Sequence, residues 1–323
     1  MASDRISTYA DPMTASNGSR SADPRWAVVL AGGSGMRLQS LTLKFFGENR
    51  PKQFCRLFGG KTLLGHTRAR IAPLVTPQRT AHVVVEAHAR YYNQQLSDVA
   101  RERIFVQPCD RGTTAAIAFS LAKIAAIDPE AVVGFFPADH YFADEPAFTR
   151  HMNWAYEMAV VCKAALLVGV RPEHPEVEYG WIEPGECIAR GSSECAFRVR
   201  RFWEKPALSV ARELIDRGCL WNTFIMVGRV AVLRSMLEDA ASEVFRAFEP
   251  VRNGAGALNC IYEDIQTGDF SKQVLSTLPE RLAVLRMDTS GWSDLGTPER
   301  LSAACERYGM EPLTGAACAV SSS

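Results

Sequence analysis

Six consecutive apolar residues, Trp26 to Ala31, run straight into Gly32, Gly33, Ser34 and Gly35. An apolar run without alternation is how a strand buried on both faces reads, and the glycines that end it permit a turn too tight for side chains. Such a strand needs helices on both faces of its sheet, so this one junction already points to an α/β layer architecture. Comparable runs recur at Ala81–Glu86, Arg103–Gln107, Ala131–Pro137 and Ala164–Val170. Between them lies helical sequence, most clearly Thr113–Ile127, where Ala116, Phe119, Ile124 and Ile127 can share a face. The expectation is a Rossmann-like, mostly parallel sheet covered by helices.

After Val170 the runs shorten, to Tyr179–Glu183, Phe197–Trp203 and Trp221–Val227, with a helix opened by Pro206 and ended by Gly218 before the last of them. A helix over Val230–Phe248, a strand over Arg281–Met287 and a closing helix over Thr297–Arg307, with Pro298 in its first turn, complete the pattern. This divides the chain into a flexible tail over 1–24, rich in Ser, Ala, Asp and Thr, a folded domain over 25–307 with a smaller subdomain near 171–228, and a second tail over 308–323.

Lys and Arg total 36 against 36 Asp and Glu, which removes the broad basic face of a nucleic-acid binder, so any phosphate chemistry must be local. There is no apolar segment long enough for a membrane helix and no signal-peptide core, so a cytoplasmic protein without a membrane partner is expected. Nine cysteines stand singly with no C-x-x-C pair, which suits reduced thiols in a cytosolic protein. The six histidines are not spaced to complete a zinc site.

The turn from Leu30 to Leu38 has the makings of a phosphate cradle: glycine backbone N–H groups approach an anion closely, and Arg37 adds a fixed positive fork. The plainer alternative is an ordinary strand-to-helix turn. Two named glycine motifs fail on their letters. A dinucleotide fingerprint starting at Gly33 needs glycine where Leu38 stands, and a P-loop ending at Gly60, Lys61 and Thr62 needs glycine where Cys55 stands. Lys52, in the run Arg50 to Phe54, is a second cation that by itself reads as solvated. Asp139 ends the apolar run at Pro137, where α/β sheets bind ligands, though a helix cap reads equally well. Asp294 sits between Gly291 and Pro298, with Thr297 serving as the cap. Two such carboxylates from distant segments can share one Mg²⁺, which takes one or two carboxylates and then substrate phosphate oxygens.

The ordered set of motifs resembles the sugar-1-phosphate nucleotidyltransferases, and among them the mannose-1-phosphate guanylyltransferases. The matching letters are LAGGSGMRL at 30–38, PKQF at 51–54, RGTTAAI at 111–117, PADH at 137–140, YGWIE at 179–183, FWEKP at 202–206, WNT at 221–223 and WSDLGT at 292–297. The resemblance implies an enzyme that joins GTP and mannose 1-phosphate, its substrates, into GDP-mannose and pyrophosphate with Mg²⁺. By it, Gly32, Gly33, Gly35 and Arg37 wrap the triphosphate with Lys52 assisting, and Arg111, Gly112 and Thr113 lie by the base and ribose. Asp139 and Asp294 carry the metal, Gly180, Glu183 and Asn222 hold the sugar in the subdomain, and Lys205 holds the sugar phosphate. No nucleic-acid partner is implied, and a homodimer is compatible with it.

Three positions depart from the family pattern: Met36 where threonine is usual, Phe224 where glycine is usual, and the longer segment Leu43–Arg50 after the phosphate turn. Two other readings stay open: a transferase using UTP or dTTP with another sugar phosphate, and a nucleotide-sugar-binding regulatory paralogue that has lost catalysis. Retention of Arg37, Asp139, Lys205 and Asp294 speaks against the second.

Overall fold

The computed structural model describes residues 23–35, 38–191, 194–254, 256–288 and 291–309. Its frame is one sheet made of β1 (Arg25–Leu30), β2 (Thr80–Val85), β3 (Ile104–Gln107), β4 (Val132–Pro137), β5 (Ala165–Val170), β6 (Gly180–Arg190), β7 (Cys195–Glu204), β8 (Leu220–Arg229) and β9 (Leu282–Arg286). The strand order is β3-β2-β1-β4-β8-β5-β9-β7-β6. The first four strands in that order are mutually parallel, as are β5 and β9. All remaining pairings are antiparallel, so the parallel character expected of the whole sheet is concentrated in one half. β6 also pairs with β8, through Trp181 opposite Trp221 and Ile182 opposite Leu220, so β8, β5, β9, β7 and β6 form a closed circuit of pairings.

The helices are α1 (Gln39–Phe46), α2 (Leu63–Ile71), α3 (Ala89–Gln95), α4 (Gly112–Ile127), α5 (Glu145–Val161), α6 (Leu208–Asp216), α7 (Val230–Ala240), α8 (Ser242–Arg252), α9 (Leu258–Asp264) and α10 (Pro298–Tyr308). They cover both faces. Trp26 and Val28 of β1 pack into a core with α4, α7 and α8, while Ala27 and Val29 pack into a second core with α2, α5 and α6. That two-sided burial is the physical cause of the unalternating run in the sequence; each such valine contributes about 1.5–3 kcal/mol by leaving water. A smaller cluster of Leu38, Leu57, Phe58, Leu295 and Leu301 seats α10.

Three differences from the sequence pattern have local causes. The helix expected over Val230–Phe248 is two helices, broken at Ala241 (φ −142°, ψ 50°), whose N–H ends α7 on Leu237 O and whose carbonyl begins α8 on Phe245 N. Both helices pack into the same core, so the apolar period passes through the break without a mark. β6 continues past Glu183 to Arg190 because its pairing with β7 tolerates irregularities around Pro184 and Cys187. The closing helix reaches Tyr308 and ends on Gly309 in left-handed backbone (φ 60°). The tails expected over 1–24 and 308–323 lie outside the described residues, apart from 23, 24, 308 and 309. All eight cysteines among the described residues are free thiols, and no helix there is long and apolar enough to cross a membrane.

Candidate active site

The C-terminal ends of β1 and β4 open on a cleft of about 280 Å³, walled by Gly32, Gly33, Gly112, Thr113, Asp139 and Phe224. Gln53 shapes its glycine turn. This side chain is buried, and its Nε2 donates to the carbonyls of Ala31 (3.0 Å) and Gly33 (2.7 Å). Gly35 closes the turn with φ 63°, and a Cβ there would lie 3.0 Å from Lys52 N, so both conformation and space demand glycine. Arg37 and Met36 lie outside the described residues.

Lys52 is not a solvated lysine. It is 8% exposed, and its Nζ lies 3.2 Å from Asp139 Oδ2 and donates to the Asp294 carbonyl at 2.6 Å. One ammonium thus ties the β4 end to the segment before α10. The two segments are joined again by paired backbone hydrogen bonds between Tyr141 and Ser293, and by the Trp292 indole, which donates to His140 Nδ1 at 3.2 Å. Burial pushes the His140 pKa down to about 4, against the pull of Asp139, so the ring is neutral at pH 7 with its proton on Nε2.

Asp294 is 6% exposed. Its carboxylate accepts from Tyr179 Oη (2.7 Å), Gly296 N (2.9 Å) and Arg300 Nη1 (3.0 and 3.1 Å). Burial alone would raise its pKa, but Lys52 and Arg300 outweigh that and hold the carboxyl below its usual range. Arg300 also pairs with Glu176 at 2.5 Å and lies over the Tyr179 ring. Thr297 caps α10 as its sequence position implies.

On the α4 side, Gly112 has φ 79°, and a Cβ there would fall 2.2 Å from the Gly268 carbonyl. Thr113 Oγ1 accepts from Phe270 N at 2.8 Å. Arg111 turns away from the cleft: its Nε donates to the Tyr262 carbonyl at 2.7 Å. The second half of the site is built on β6, β7 and β8. Gly180 lies opposite Glu204, and a Cβ on it would stand 2.9 Å from Glu204 Oε2 and 3.3 Å from Asn222 Cβ. Asn222 is buried and accepts from Phe224 N at 3.1 Å, while Lys205 N donates to the Tyr179 carbonyl at 3.1 Å. Lys205 (φ 50°) and Phe224 (φ 60°) both hold left-handed backbone, which explains why glycine suits position 224.

The nucleotidyl transferase family matches residues 26–310. The chain belongs to this family. It is similar to the mannose-1-phosphate guanylyltransferase of Escherichia coli K12, 31% identical over 287 residues that cover 84% of this chain and 58% of that protein. The mannose-1-phosphate guanylyltransferase of Salmonella muenchen is 29% identical over 288 residues, covering 84% of this chain and 57% of that protein. The chain thus spans just over half the length of these curated relatives. In structure it is similar to a Thermus thermophilus protein described as a mannose-1-phosphate geranyltransferase, with TM-score 0.77 and 29% identity, covering 89% of this chain and 79% of that one.

Within this nucleotidyl transferase, the expected residues do not all meet. The structure gathers Gly32, Gly33, Gly35, Lys52, Asp139 and Asp294 at one end, and Gly180, Lys205 and Asn222 at the other. Arg111 stays apart, on the Tyr262 carbonyl, and so does Glu183. Strand alternation puts it on the opposite face of β6 from Gly180, where it pairs with Arg217 at 2.6 Å. The carboxylate beside Gly180 and Asn222 is Glu204, pushed up to about 7 by burial and by Asp269, against Lys205 and Ser271. Only its register opposite Gly180 identifies it, and register between distant strands is not written in the local sequence. Gln53 stood inside the matched PKQF motif, which was its available signal.

Two carboxylates from separate segments are the kind of donor that Mg²⁺ takes. Asp139 is a quarter exposed at the cleft, and Asp294 keeps acceptor capacity on Oδ2, which among the described residues takes only the Arg300 hydrogen bond. No group of three or more metal-ligating side chains occurs among the described residues. Mg²⁺ needs only one or two carboxylates when substrate phosphates and water complete its shell.

Proposed function

We propose that the chain joins GTP to mannose 1-phosphate, releasing pyrophosphate and forming GDP-mannose. The observation that carries this reading is the convergence of Lys52 on Asp139 and on the Asp294 segment beside a glycine turn, with a cluster of Gly180, Glu204, Lys205 and Asn222 on the neighbouring antiparallel strands. A sugar-phosphate oxygen attacks the α-phosphorus in line. The new P–O bond forms as the bond to the bridging β-phosphate oxygen breaks, and pyrophosphate leaves with that electron pair. The nucleophile is already ionised at pH 7, so the reaction needs no general base, consistent with a His140 that is neutral and occupied by Trp292.

What the site must do is bring two polyanions together and hold them aligned. In this reading Lys52 and Arg37 offset charge on the triphosphate, Lys205 takes the sugar phosphate, and the N–H groups of the Gly32–Gly35 turn cradle the phosphates. Bound Mg²⁺, held by Asp139 and Asp294 Oδ2, would supply further positive charge to the phosphates. Gly112 and Thr113 lie by the base and ribose. Glu204, in place of Glu183, holds sugar hydroxyls with Asn222. Residues 25–307 then form the catalytic domain, and 171–228 its sugar-binding part.

Guanine and mannose are supported by the names of the relatives at about 30% identity. The test is pyrophosphate release with Mg²⁺ across GTP, UTP, dTTP, ATP and CTP against mannose, glucose and glucosamine 1-phosphates. A dominant signal for GTP with mannose 1-phosphate is expected. Equal or better use of UTP overturns the guanylyl half, and silence from folded protein overturns catalysis in favour of nucleotide-sugar binding alone.

A further inference from the structure

Away from the cleft, on the other side of α2, the structure holds a second cavity of about 240 Å³ between α2, β2 and the segment 98–100. Its walls are largely apolar, drawn from Ile71, Ala72, Val75, Pro77 and Val99, and exposed residues such as Ala72, Pro77 and Ala100 open it to solvent. Arg68, Gln78, Thr80 and Asp98 add polar atoms to the wall, and its one buried side chain with unmet hydrogen bonds is His82, in the middle of β2 and 2% exposed, neither of whose ring nitrogens has a partner. A buried polar group in that state favours any occupant that completes its hydrogen bonds.

We propose that this cavity binds a small, uncharged, ring-sized molecule carrying a hydroxyl group, and that α2 transmits its occupancy to the Asp139–His140 turn. The absence of charge in the ligand follows from the walls. Arg68 is spent on Asp98 (2.6 Å) and on the Gln95 carbonyl (2.7 Å), so a charged ligand would lose its hydration without gaining a counter-charge. Burial pushes His82 down to about 3, so it stays neutral and presents one donor and one acceptor. A hydroxyl, which both donates and accepts, matches either nitrogen. The size follows from the volume, since an apolar cavity of about 150 Å³ already takes a benzene ring.

The transmission route is short. Ile71 and Ala72 line the cavity, while Arg70, in the same turn, reaches the catalytic side and donates from Nη1 to the His140 carbonyl at 3.2 Å. Arg70 is 4% exposed and packed over the rings of Phe142 and Phe148, so it cannot swing free of that carbonyl. One turn earlier, Thr67 donates to the Pro137 carbonyl at 3.4 Å. A shift of α2 is therefore a shift of the turn that carries Asp139.

Phenol is a suitable probe. Titrated into the full chain at pH 7, it is expected to move the ring nitrogen resonances of His82 to saturation and the backbone amides of 137–142 in parallel. His82→Leu should weaken phenol at least about tenfold and His82→Gln by no more than about threefold, because glutamine restores a donor and an acceptor. Val99→Phe, which adds a ring to the cavity and leaves His82 in place, should abolish binding even if the His82 variants fold poorly. Unmoved His82 resonances, or equal phenol binding by His82→Leu, overturns the site; unmoved 137–142 amides with a responding His82 overturns the transmission.

Discussion

On the side of the cleft proposed for the nucleotide the key groups sit on turns that leave parallel strands: the Gly32–Gly35 turn after β1, Asp139 after β4 and Gly112 at the start of α4. On the side proposed for the sugar they sit within or directly at the ends of antiparallel strands: Gly180 on β6, Glu204 and Lys205 at the end of β7, Asn222 on β8. A turn can be shaped by glycines and tied by one side chain, as Gln53 does for Ala31 and Gly33. A strand can only offer every second residue, so the antiparallel side presents its groups by alternation, and it bends twice through left-handed non-glycine residues at about 1–2 kcal/mol each.

The largest effect expected from this contrast is at Asp139, whose ion pair with Lys52 joins the segments that meet at the nucleotide end. Asp139→Asn should lower pyrophosphate release by about 10³-fold while thermal melting moves only a few degrees. Retained turnover would remove that carboxylate from the chemistry.

Next come two glycines on the nucleotide side that should separate cleanly. Gly112→Ala meets both a positive φ and the Gly268 carbonyl, and should cost about 3 kcal/mol, read as a lower Tm. Gly33→Ala meets nothing within 4 Å, and should leave Tm unchanged while raising the KM for the nucleotide. A melting loss at Gly33 would mean that this turn is held by packing rather than kept clear for a ligand.

On the sugar side, Glu204→Gln should raise the KM for the sugar phosphate about tenfold while leaving the nucleotide KM near its original value. It also carries a pH signature. The folded chain holds this proton up to about pH 7, whereas an ordinary carboxyl releases it near 4.5. Stability from this group is therefore lost as pH rises from about 4.5 to about 7 and is flat above, a slope that Glu204→Gln should remove from Tm measured against pH. The smallest effect is expected at Phe224→Gly, where relief of the left-handed strain and loss of a half-buried ring nearly cancel in Tm. Its readout is a few-fold change in preference among sugar phosphates.

The same contrast explains what could be read from the letters. Strands buried on both faces announced themselves, and β1, β2, β3, β4 and β5 lie within a residue or so of their apolar runs. The turns after them carried recognisable glycines and acids, so which turns meet at the cleft was legible. Glu183 and Glu204 were not distinguishable, because each lies in a matched motif and only the β6–β7 register says which one faces Gly180. Nor could the sequence show that Arg111 spends its guanidinium on Tyr262, or that Arg300, six residues beyond Asp294, grips that carboxylate. Those are long-range or side-chain contacts with no periodic trace.

The closed circuit of pairings around β8 also bears on how the molecule behaves among its own copies. A chain with formal net charge +0 at pH 7 has little repulsion to keep it dispersed, and unpaired sheet edges are where such chains add to one another. Here one outer strand is β3, only four residues long. The other, β6, spends part of its free side on β8 and is then interrupted around Pro184 and Cys187. Neither border of this sheet offers a long flat template, so the pairing that closes the sugar side also works against edge-to-edge aggregation.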